Sequence, residues 1–216
     1  MDKQAIISKT AEHVREELSG ESSGHDWFHV YRVWKLAEHI GKQEGADMFI
    51  VEMTALLHDL DDFKITGEHS KDKKNATSWM ENMQVGADTQ QKIIKIIQNM
   101  GFTDHIEGQK SLSKEGEVVQ DADRLDALGA IGIGRAFAYG GKMQRPLHDP
   151  AEQPKKEMSK EHYMSRKGTT INHFHEKLLL LKELMNTDAG RKMAAHRHQF
   201  MEQYLEEFFK EWEGER

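Results

Sequence analysis

The sequence predicts an all-α fold, a single-domain helical bundle. Apolar residues recur at three- and four-residue intervals nearly throughout, and strand-like alternation appears nowhere. A length of 216 residues fits one domain, or one domain with an appended lobe. No internal repeat or low-complexity tract interrupts the chain, and no composition shift marks a domain break.

The elements follow in order. Residues 2–18 place Ile7, Ala11, Val14 and Leu18 on one helical face, and "GESSGHD" then breaks the helix. A second helix is expected from Asp26 or earlier to about 44. Asp47 suits the N-cap of a third, apolar on most sides and therefore central. A loop over 61–69 leads to a Ser70-capped helix that ends before Gly86, and the stripe Ile93, Ile96, Ile97, Met100 makes 87–100 helical. Residues 101–116 are expected to form a polar loop. Next, "EVVQDADRLDALGAIGIGRAFAYGG" reads as one long helix whose small residues permit close packing. All three prolines fall within 140–167, an expected irregular excursion that suits a lid. Two amphipathic helices, about 168–186 and 188–213, complete the chain.

Composition limits the chemistry. With no cysteine, disulfides, iron–sulfur clusters and thiolate zinc sites are excluded, so any metal must be held by His, Asp or Glu. The N-terminal stretch has no continuous apolar core, and nothing approaches the roughly 20 apolar residues of a membrane span. A cytoplasmic location without membrane attachment is the expectation. A net charge of −7 repels nucleic-acid backbones, so no nucleic-acid partner is expected; an anionic small molecule remains compatible with locally concentrated cations.

Four pieces of sequence could meet. In "HDWFHVYR", helical spacing stacks His25, His29 and Arg32 on one side. In "ALLHDLDDFK", an apolar helix ends at His58-Asp59, with Asp62 and Lys64 just beyond. In "DADRLDALGA", Asp123 and Asp126 share a face, whereas Asp121 lies on a different one. A lone helical histidine is usually a surface or satisfied core residue, and an acidic pair such as Asp61-Asp62 usually sits in solvent. The histidines of "HFHEK" (173–177) and "HRH" (196–198) point apart at a spacing of two, which disfavours a shared metal. Context separates the main set: polar groups withdrawn from water must be paired or metal-bound, and two apolar helices here carry them.

The combination resembles the HD-domain superfamily of metal-dependent phosphohydrolases, whose pattern is a His, an adjacent His-Asp and a distant Asp, all on helices. The matching positions are His29, His58-Asp59 and an aspartate in "ADRLDA"; the family's Ala-Asp-x-Leu-like context selects Asp123 over Asp126. "HDWFHVYRV", "LLHDLDDFK", "QDADRLDALGAIGIGRAFAYGG" and "HFHEKLLLLKELMNT" are similar to small bacterial single-domain HD hydrolases, one branch of which comprises nucleoside triphosphate pyrophosphohydrolases. The resemblance runs from about residue 20 to the C-terminus. It implies one HD domain over 1–216, with a metal-binding core at about 24–140 and the helices at about 168–213 packed on it.

The implied ligands His29, His58, Asp59 and Asp123 give two nitrogens and two oxygens. On an octahedral ion they leave two positions open, which suits Mn best, then Ni, Co or Fe. Zinc needs a lower coordination number, and Mg is least at ease with two histidines. The implied chemistry is attack of a metal-activated water on phosphorus. The offset of Asp62 from Asp59 matches an acidic residue that orients or deprotonates the water in some HD hydrolases, with Lys64 beside it. His25, Arg32, Lys64, Arg135 and Lys177 are expected to offset substrate phosphate charge, and Asp126 to contact a ligand, water or sugar hydroxyl. Arg124 is expected to be structural. Competing readings are a 5′-nucleotidase or another HD phosphatase or phosphodiesterase, and a non-catalytic nucleotide or metal sensor. "HDWFH" also imitates the zinc-protease H-E-x-x-H, but that reading leaves His58-Asp59 and "DADRLD" without a role. Oligomeric state is not legible.

Overall fold

Asp26 and Asp47 each accept a backbone N–H from the first turn of the helix that follows, His29 N at 2.9 Å and Phe49 N at 3.0 Å. These caps start two of the helices that build the site. The computed structural model describes residues 2–20, 26–61, 72–101, 111–155 and 168–215. Among them it contains α1 (Lys3–Glu17), α2 (Trp27–Glu44), α3 (Met48–Leu57), α4 (Lys74–Asn82), α5 (Ala87–Ile97), α6 (Lys114–Asp126), α7 (Gly129–Lys142), α8 (Thr170–Glu176), a 3-10 helix (Leu178–Leu184) and α9 (Asp188–Trp212). No strand occurs among the described residues, so the all-α expectation holds.

The helices form two compact units, Met1–Ala122 and Asp123–Arg216. In the first, α3 is central as its apolar sequence predicts, packing on α1, α2 and α5. Val51, Met53, Ala55, Leu56 and Leu57 of α3 are wholly buried. Gly41 lets α2 approach it closely: a Cβ there would meet Met48 Sδ at 3.0 Å. Trp79 Nε1 donates to Thr10 Oγ1 at 2.8 Å while its ring stacks on His13, tying α4 to α1. Gln120 Nε2 donates to Met100 O at 3.0 Å, and Asp47 N donates to Glu115 Oε1 at 3.3 Å, fixing the start of α6.

In the second unit α9 packs on α7 and the 3-10 helix, and α8 packs on α7. Phe137, Phe174, Tyr204 and Phe208 form its aromatic centre. Arg124, expected to be structural, is buried and donates to Leu184 O.

Five expectations need correction. The helix expected to be capped by Ser70 starts at Lys74; its N-cap is Lys73, with φ +46, and Ser70 lies outside the described residues. Of the loop expected over 101–116, residues 114–116 are instead helical, because α6 takes in Gly116, and residues 102–110 lie outside the described residues. The single long helix expected over 117–141 is two helices: Leu128 is extended and Gly129 has φ +71, so α6 stops at Asp126 and α7 begins anew. The helix expected over 168–186 leaves α geometry at Lys177 and continues as the 3-10 helix. Finally, Asp61 is not in solvent but buried. Of the excursion at 140–167, residues 143–155 are non-helical and held by α8, with Asn172 Nδ2 donating to Glu152 O at 2.9 Å and Lys155 N to Glu176 Oε1 at 3.0 Å. Residues 156–167, and with them much of the expected lid, lie outside the described residues.

Candidate metal centre

His29 occupies the first turn of α2, and His58 and Asp59 lie in the turn that ends α3. The packing of α2 on α3 brings the three together. His29 Nε2 lies 3.2 Å from Asp59 Oδ2, and His58 Nε2 lies 3.5 Å from the same oxygen. The two rings meet edge to face, centroids 5.4 Å apart. Side-chain exposure is 1% for His29, 5% for His58 and 8% for Asp59, so all three side chains are buried.

The tautomer of His58 follows from its neighbour. Its Nδ1 lies 2.8 Å from Ala55 O, and a carbonyl can only accept, so Nδ1 carries the hydrogen. In the neutral ring Nε2 then holds a lone pair, aimed at a carboxylate oxygen that also bears lone pairs. Burial without a positive centre between them would be costly. One ligand atom from each of His29, His58 and Asp59 lies within 4.8 Å of the others. Two ligands at right angles, each about 2.1 Å from an ion, lie about 3 Å apart, near the separations of 3.2 and 3.5 Å. A histidine whose second nitrogen is fixed by a backbone carbonyl is also the usual arrangement of a metal-ligating imidazole. The donor set therefore fits a divalent cation.

The other candidates are placed as follows. Arg32 is half-buried, one helical turn after His29 on α2. Asp123 is half-buried in the last turn of α6, within the second unit. Asp126 is buried and paired with Arg135, whose Nη1 donates to its Oδ2 at 2.9 Å and approaches its backbone oxygen at 3.3 Å. Arg197 lies beside this pair: burial lowers its pKa, and the Asp126 charge pulls it back up. Lys177 is half-buried at the C-terminus of α8. His25, Asp62 and Lys64 lie outside the described residues. Sequence reasoning missed Asp61, whose carboxylate accepts from Asn75 N and Ala76 N, both at 3.0 Å. Its sequence context, an acidic run after a helix, gave no signal of partners so far along the chain.

The HD-domain family profile matches residues 27–128, a span that contains His29, His58, Asp59 and Asp123. The chain is 40% identical to YpgQ of Bacillus subtilis over 202 residues, 93% of this chain and 91% of that protein. A Lactobacillus plantarum structure superposes with a TM-score of 0.89 at 39% identity, covering 99% of this chain and 100% of the other. An HD-superfamily hydrolase from Bacillus thuringiensis superposes with a TM-score of 0.77 at 43% identity, covering 98% and 99%. YpgQ itself, solved in complex with ADP, superposes with a TM-score of 0.76 at 35% identity, covering 98% and 97%. The chain belongs to the HD-domain family and is a metal-dependent hydrolase of that superfamily.

Proposed function

We propose that the protein is a nucleotide pyrophosphohydrolase that converts a nucleoside or deoxynucleoside triphosphate to its monophosphate and pyrophosphate. The observation that carries this reading is the convergence of His29 Nε2, His58 Nε2 and Asp59 Oδ2. That YpgQ has been solved with ADP supports a nucleotide as the ligand class.

His29, His58 and Asp59 would hold the cation, with Asp123 as the fourth ligand. Two nitrogens and two oxygens favour Mn, then Fe, Co or Ni, over Mg. When bound, such a cation supplies a water of lowered pKa and a Lewis acid for a phosphoryl oxygen. In this reading the chain's own groups do the rest. Ala55 O holds the His58 ring in its ligating tautomer, and the Asp26 cap fixes the turn that carries His29. Asp62 orients the attacking water and takes its proton, with Lys64 offsetting charge next to it. His25, Arg32, Arg135 and Lys177 meet phosphate oxygens. Asp126 directs the Arg135 guanidinium through their ion pair, or accepts from a sugar hydroxyl. The partner is a small phosphorylated molecule rather than nucleic acid, in keeping with the charge of −7. No helix among the described residues is long and apolar enough to cross a membrane.

The test is a panel of nucleotides with Mn, Co, Ni and Mg in heavy-oxygen water, with products separated by chromatography. Monophosphate and pyrophosphate in equal amounts, the label in one of them, is the expected result. Orthophosphate as the only inorganic product would shift the reading to a nucleotidase or phosphatase. Nucleotide binding without turnover would shift it to a sensor. Asp62→Asn is expected to abolish turnover and spare nucleotide affinity; unchanged turnover would remove Asp62 from the mechanism.

A further inference from the structure

Asp61 lies two residues beyond Asp59, is 7% exposed, and spends both carboxylate oxygens on a distant helix end. The first amides of α4 need an acceptor, and its N-cap Lys73 supplies none from its side chain. Asp61 takes that part across the chain: Oδ1 accepts from Asn75 N and Oδ2 from Ala76 N, both at 3.0 Å. Those are the second and third residues of the helix, the amides an N-cap side chain normally satisfies. Its negative charge sits at the positive end of the helix, and its backbone oxygen receives Lys73 Nζ at 3.5 Å. Lys73 adopts a left-handed backbone, φ +46, at this join, a conformation a lysine holds only when its surroundings impose it.

We propose that Asp61 is a positioning residue for the metal centre. It clamps the turn His58–Asp61 to the start of α4, which sets the direction of His58 Nε2 and Asp59 Oδ2. A capping residue serving only α4 could come from the residue preceding that helix; placing the cap within the ligand-bearing turn couples the two. The proposal rests on the cation reading of His29, His58 and Asp59.

The test measures Mn2+ binding directly, by the EPR signal of unbound Mn2+, on the full chain and four variants. Asp61→Asn keeps the volume and one acceptor oxygen, and Asp61→Ala removes both acceptors. Thr77→Ala is the structural control: it loses a bond at the same helix end, Thr77 Oγ1 to Lys73 O at 2.9 Å, without touching the turn. Asp59→Ala reports on the cation site itself. Asp61→Asn is expected to weaken Mn2+ binding about tenfold, while Thr77→Ala changes it by less than about twofold despite a lower Tm. The Asp61→Asn enzyme is also expected to need more Mn2+ for half-maximal turnover and to recover kcat at saturation. If Asp61→Ala does not fold, Asp61→Asn decides. Wild-type affinity in Asp61→Asn, alongside a lost site in Asp59→Ala, overturns the role of Asp61 alone. Undiminished binding in Asp59→Ala overturns the cation reading beneath it.

Discussion

The Ala55 carbonyl turns the His58 imidazole so that its lone pair faces Asp59, and with His29 on the other side two nitrogens share one carboxylate oxygen. Changing a group that merely orients a ligand typically costs 10–100-fold in metal affinity, so removing a ligand should cost at least about 100-fold. His58→Ala and Asp59→Asn are each expected to show that loss by calorimetric Mn2+ titration, with the helical circular dichroism retained. Arg135→Ala should lower stability as well as weaken contact with substrate phosphate: it removes a charged hydrogen bond to the buried Asp126, worth about 2 kcal/mol, readable by urea unfolding. His58 and Asp59 were legible in the sequence because they end an apolar helical run, and burial of such groups demands a partner; His29 was singled out by the resemblance to the HD-domain pattern. Asp61 was not, since its acceptor role depends on amides at 75 and 76 that only the tertiary fold brings to it.

Helix α6 and helix α7 look continuous in sequence and are separate in the fold. A straight helix would put Arg135 about 13 Å along the axis from Asp126 and the pair could not form. The break at 127–129 folds the chain back and lets Arg135 reach it. Glycines that read as close-packing residues do serve that purpose, but Gly129 also supplies the left-handed backbone that ends one helix and begins the next. Gly129→Ala is expected to cost about 1 kcal/mol for its positive φ, with some addition because its Cβ would meet Arg197 Cγ at 3.1 Å. Gly132→Ala should be worse, since its Cβ would lie 2.3 Å from the Ala127 carbonyl oxygen, which is backbone and has no rotamer to yield. Equal melting temperatures for the two variants would contradict this account of the break. The 3-10 helix has a similar lesson. Leu178 and Leu181 are both buried; a spacing of three eclipses at three residues per turn, and it also falls on one face of an α-helix. Periodicity alone cannot separate that from an α-helical stripe, which is why the chain from 168 to 186 looked uniform.

At the scale of the molecule, helical periodicity identified the fold class: among the described helices, α1, α2 and α5 pack on α3, α4 on α5, and α8 and α9 on α7. The division into Met1–Ala122 and Asp123–Arg216 left no trace in composition: it falls inside α6, and the HD-domain match runs through it. A cation that binds only the folded state adds stability by mass action. At a free concentration of 100 times its dissociation constant it contributes about 2.7 kcal/mol, or roughly 5–10 °C in Tm for a chain of this size. Chelation with EDTA is therefore expected to lower Tm by that amount, Mn2+ to restore it, and Asp59→Asn to respond to neither. The most direct measurement is an anomalous difference map at the manganese edge from crystals grown with Mn2+. One peak is expected about 2.0–2.3 Å from His29 Nε2, His58 Nε2 and Asp59 Oδ2. A map with no peak there, from a protein that binds Mn2+ elsewhere or not at all, would contradict the account.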